Sequence, residues 1–70
     1  MEFIPLKLNQ CREEKDMSII AVVVALSNIK VLVSPNTVRS WESGATSPSA
    51  IQLGKIAKMY KKPVSYFYKK

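Results

Sequence analysis

The sequence predicts an all-α single domain spanning residues 1–70, of about five helices. Three observations carry that expectation. The stretch Ser34-Pro35-Asn36-Thr37-Val38-Arg39-Ser40-Trp41-Glu42-Ser43-Gly44 reads as a short helix marked at both ends. Leu53, Ile56, Ala57 and Tyr60 recur at helical spacing. Ser18 and Ser49 stand where they can cap further helices. With seventy residues and one cysteine, Cys11, an internal disulfide is excluded and apolar packing must hold the domain.

The elements follow in chain order. Met1 to Ile4 is a short apolar lead without a signal-peptide pattern. Pro5 can open a first helix running to about Asp16, because a proline in the first turn loses no helical hydrogen bond. Leu8 and Cys11 would face inward, and Lys7, Asn9, Glu13 and Glu14 would face water. Ser18 can cap a second helix over residues 18–28. Its composition argues otherwise, since Ile19-Ile20-Ala21-Val22-Val23-Val24-Ala25-Leu26 favours a strand. Context decides for helix. Eight apolar residues are too few to cross a bilayer.

The next helix has the strongest local signals. Ser34 can accept from a free N–H of the first turn, Pro35 fits the first helical position, and Gly44 can end the helix in a left-handed conformation. Val38 and Trp41, three apart, form its buried face, leaving Asn36, Arg39, Ser40 and Ser43 outward. An outward amide and guanidinium on a short anchored helix suit the DNA major groove, where Asn can pair with adenine and Arg with guanine. An ordinary surface helix is the alternative reading. Ala45 to Pro48 is a loop, Ser49 caps a fourth helix from Ala50 to about Lys61, and Pro63 starts a last short turn, Val64 to Tyr68, as a lid. Lys69 and Lys70 are expected to fray.

The formal net charge is +6, from eleven Lys and Arg against five Asp and Glu. Four of the acids lie within residues 1–16, whereas six lysines and no acid follow Ser43. That asymmetry points to a nucleic acid or an acidic surface, although a solvated lysine-rich tail also accounts for it. No histidine is present, so the usual zinc ligands and general bases are missing. No catalytic residue, metal site or cofactor is expected, and the glycines stand too far apart for a phosphate loop.

Taken together the chain resembles the Cro/C1-type (Xre-like) helix-turn-helix repressors of phages and bacteria. The likeness rests on Arg12-Glu13-Glu14-Lys15 with Met17-Ser18, on Val33-Ser34 through Thr37-Val38, on Trp41-Glu42-Ser43-Gly44 followed by Pro48-Ser49, and on Leu53 to Tyr60 with Val64 to Phe67. It covers nearly the whole chain. It implies a compact five-helix, lambda-repressor-like fold and a cytoplasmic regulator that binds a double-stranded operator, with a homodimer expected on paired half-sites. Arg39 and Asn36 would read base edges with help from Ser40 and Ser43, and Thr37 would touch phosphate. It also implies that Arg12 pairs with Glu42. Two departures stand out. Fourteen residues separate Ser18 from Val33, a lengthened turn without the family's glycine. Ile19 and Ile20 replace the polar start of the family's second helix. That atypical apolar helix supports an alternative, a modulator that grips a partner repressor through Ile19, Ile20 and Val23.

Overall fold

The computed structural model describes residues 2–69. Met1 of the apolar lead and Lys70 of the tail expected to fray lie outside the described residues. The order of elements is β1 (Glu2–Phe3), α1 (Pro5–Glu14), α2 (Ile19–Asn28), α3 (Pro35–Ser43), α4 (Ala50–Met59), a 3-10 turn (Val64–Phe67) and β2 (Tyr68–Lys69). α3 packs against both α1 and α2, while the 3-10 turn packs on α1 and α4. Leu8, Val22, Leu26, Trp41, Leu53 and Phe67 meet in one buried cluster to which every helix contributes.

Local chemistry accounts for three of the helix starts. Ser18 Oγ accepts from Ala21 N at 3.0 Å and Ser34 Oγ from Thr37 N at 3.2 Å. Ser49 and Gln52 form a reciprocal capping box, with Gln52 N donating to Ser49 Oγ at 3.2 Å and Ser49 N to Gln52 Oε1 at 2.9 Å. At its far end α3 closes on Gly44, whose φ is 87°. A Cβ there would also lie 3.2 Å from Pro5 Cγ, so glycine serves both the turn and the close approach to α1.

The other three helices end without glycine. Asp16, Lys30 and Lys61 take φ of 53°, 64° and 58°. Each is followed by a residue whose N–H reaches back to the last turn: Met17 to Arg12 O at 3.1 Å, Val31 to Leu26 O at 2.8 Å and Lys62 to Ala57 O at 2.9 Å. This is the Schellman closure, here with side-chain-bearing residues at the left-handed position. α1 therefore stops at Glu14, two residues short of the expected Asp16. The lengthened turn resolves in the same way. Lys30 reverses the chain, Val31 drops into the core, Leu32 stands 81 % exposed and Val33 is half-buried before Ser34 starts α3.

α2 is helical despite its valines. Val22 and Leu26, four apart, are buried while Val24 between them is 55 % exposed, a pattern that a helix produces and the strict alternation of a strand does not. Packing of that face outweighs the strand tendency of the residues.

Two expectations are corrected at the C-terminal end. The fifth helix that the resemblance implies is a single 3-10 turn, Val64–Phe67, so there are four α-helices among the described residues. Pro63 fixes its start, and Tyr68 already has extended dihedrals, leaving too few residues for an α-helical turn to propagate. Phe67 is wholly buried, but Val64 is exposed and closes nothing. Lys69 does not fray: it pairs with Glu2, and Tyr68 with Phe3, in a two-stranded antiparallel ladder. The Phe3 and Tyr68 rings meet edge-on at 6.3 Å, and Ile4 N donates to Phe67 O at 2.8 Å. The fold is thus helical with a small ladder joining its two ends.

Candidate nucleic-acid interface

α3 supplies the site. Val38 and Trp41 bury its inner face, and Asn36, Arg39 and Ser43 are exposed on the other. Thr37 and Ser40 are half-buried on its flanks. The exposed residues differ in how free they are. Arg39 Nη1 donates to Asn36 Oδ1 at 3.3 Å, one helical turn away. Ser43 Oγ donates to Ser40 O at 3.1 Å and accepts from Ala45 N at 3.4 Å, so its hydroxyl is engaged in closing the helix. The hydroxyls of Thr37 and Ser34 share a hydrogen bond of 3.1 Å at the N-cap.

A polar cluster sets the tilt of α3. Glu42, on the flank facing α1, accepts from Arg12 Nε at 2.9 and 3.2 Å, from Arg12 Nη2 at 3.2 Å and from Asn9 Nδ2 at 3.0 Å. Arg12 Nη1 also donates to Met17 O at 2.9 Å, just before the cap of α2. One guanidinium thereby ties α1, the entry to α2 and the last turn of α3. Its hydrogen bond with Glu42 raises its pKa beyond the ordinary arginine value, so it stays charged. Asn9 was expected in water and lies in this cluster instead. The signal for it was present in the sequence: Asn9 and Arg12 are three apart and share a helix face. Tyr60 lines the core nearby, and burial pushes its phenol up to about 12.

The apolar residues of α2 divide between two faces. Ile19 and Val23 are half-buried and pack against the core. Ile20 and Val24, four apart, are 57 % and 55 % exposed, and they form the apolar surface that α2 leaves open. The loop Ala45-Thr46-Ser47 is exposed and holds no cation. Lys30, Lys58 and Lys61 are exposed, and Lys55 is partly so. Lys7 and Lys62 lie 4.7 and 4.9 Å from the centre of the Tyr66 ring, so that both are drawn to its π face. Among the described residues no three His, Cys, Asp or Glu gather as a metal site. No helix of the described residues is long and apolar enough to cross a membrane.

A family model described as helix-turn-helix matches residues 8–67. No curated protein and no solved structure gives a match.

Proposed function

We propose a sequence-specific regulator, starting from the fact that the chain belongs to the helix-turn-helix family of the Cro/C1 type. DNA binding and transcription regulation are the general function of this family, which is regulatory rather than enzymatic. The finer reading is a small repressor of the Cro kind, from a phage or other mobile element, that inserts α3 into the major groove of an operator. One observation carries it: α3 is capped at both ends, buried along Val38 and Trp41, and presents Asn36 and Arg39 outward. In this reading Asn36 and Arg39 contact base edges, Ser40 and Ser43 assist, and Thr37 contacts phosphate. Lys55 and Lys58 add attraction that ignores sequence. So small a surface suits paired half-sites and a homodimer on DNA. Cytoplasmic localisation goes with this function.

The test is binding to duplexes selected from a randomised library, followed by fluorescence anisotropy. Arg39→Ala should weaken the selected duplex by about 1–3 kcal/mol and relax the preference at one base pair. Replacing Lys55 or Lys58 should weaken all duplexes alike and flatten the salt dependence. A folded protein that binds no duplex above background would end this reading.

A second reading has its own observation, the exposed Ile20–Val24 pair at the start of the helix-turn-helix. A protein-binding modulator would use that face against a partner repressor. Ile20→Asp is the discriminating substitution, because an exposed site tolerates the charge in the folded monomer. If it abolishes regulation while Arg39→Ala preserves it, the modulator reading replaces the first.

A further inference from the structure

We infer that Asn36 and Arg39 act as one donor unit that selects guanine, not as two separate readers of adenine and guanine. The inference rests on the DNA-binding reading above and deepens it. Its ground is the hydrogen bond from Arg39 Nη1 to Asn36 Oδ1, 3.3 Å across the exposed face of α3.

The chemistry follows from which atoms remain. A guanidinium carries donors only, so the atom of Asn36 that faces it must be the amide oxygen. A free asparagine recognises adenine by pairing that oxygen with the N6 amino group while its NH2 donates to N7. Here the oxygen is turned toward Arg39. What Asn36 has left to present is its NH2, beside the remaining N–H groups of Arg39. The outward edge of the pair is therefore donors alone. Guanine offers two acceptors, O6 and N7, on its major-groove edge. Adenine would set its N6 amino group against a second row of N–H donors.

Spacing supports the same unit. Asn36 and Arg39 are one turn apart, so both lie over one stretch of groove. The contact also holds the long arginine side chain in one direction before binding, which reduces the rotamer entropy lost on DNA. Among the described residues neither side chain has a carboxylate as hydrogen-bond partner. Glu42, the acid of α3, is engaged instead by Arg12 and Asn9 of α1.

The test is selection of a randomised duplex library by the native chain, Asn36→Ala, Arg39→Ala and the double variant, each first shown to be folded by circular dichroism. The native chain should select guanine at a position where both single variants lose preference. Arg39→Ala should lower discrimination there by about 5- to 150-fold. Asn36→Ala should lower discrimination at the same position, and the double variant should be no worse than Arg39→Ala. Selection of adenine at one position and guanine at another, each lost in only one variant, would overturn the inference while leaving DNA binding intact. Binding with no base preference would also overturn it. Failure of the folded native chain to bind any duplex would instead bring down the underlying reading, and the inference with it.

Discussion

Arg12→Ala is the substitution whose effect follows most directly from the contacts around α3. It removes three hydrogen bonds to Glu42, at 2.9, 3.2 and 3.2 Å, and a fourth to Met17 O. The Glu42 side chain is only 10 % exposed and would keep Asn9 Nδ2 as its one remaining donor in the cluster. A carboxylate so enclosed would lose its counter-charge without regaining full solvation. Breaking a buried pair from one side costs about 3–5 kcal/mol. Arg12 is itself 18 % exposed, so water can enter the vacated space and the low end, about 3 kcal/mol, applies. A domain of this length has a total stability of roughly 4–10 kcal/mol, so the loss is a large fraction of it. Urea unfolding followed by the fluorescence of Trp41, the one tryptophan, reads this directly. The melting temperature should fall by about 12–24 °C. A cycle with Glu42→Gln should show coupling above about 1 kcal/mol, because a neutral amide suffers less from losing the guanidinium. Raising the salt concentration should barely change the result. The Lys62–Glu14 pair, at 3.8 Å and well exposed, is the contrast: it should contribute under about 1 kcal/mol and respond to salt. An Arg12→Ala protein within about 0.5 kcal/mol of native, or strict additivity in the cycle, would show that the cluster does not hold α3.

Further outcomes follow from single positions. Trp41→Ala should cost roughly 3–5 kcal/mol, and far-UV circular dichroism should show extensive loss of helix; an unchanged melting curve would mean that α3 is not anchored there. Lys30→Gly should stabilise by up to about 1 kcal/mol, because φ of 64° strains a side-chain-bearing residue, and a lower urea midpoint would refute that account of the turn. Tyr60 titrates at about 12 in the fold, against an ordinary value near 10. The fold thus favours the neutral phenol, and its contribution of roughly 2–3 kcal/mol is present below pH 10 and lost as pH rises to 12. Tyr60→Phe should remove that part of the alkaline loss of stability, whereas an identical alkaline profile would place the loss elsewhere.

α3 and α4 were legible in the sequence because the residues that bound them act within a few positions. A serine cap, a proline in the first turn, a left-handed glycine and a Ser–Gln capping box need no distant partner. The outward position of Asn36 and Arg39 followed from the spacing of Val38 and Trp41. The family likeness pointed to Arg12 and Glu42, but their geometry, with Asn9 as a third member, depends on α1 and α3 meeting across some thirty positions of chain. Tertiary packing decided what local preference left open or opposed. It made a helix of the valine-rich segment, since Val22 and Leu26 gain more by joining the core than the backbone loses by leaving the strand region. It turned Ile19 and Val23 inward and left Ile20 and Val24 outside. It placed Asp16, Lys30 and Lys61 in left-handed conformations, where the chain must reverse to bury the following elements. It also replaced a fifth helix by a 3-10 turn, because the residues after Phe67 extend to pair with Glu2 and Phe3 at the other end of the chain. Short-range hydrogen bonds are written in neighbouring residues, whereas burial and long-range pairing depend on which surfaces meet once the helices have formed.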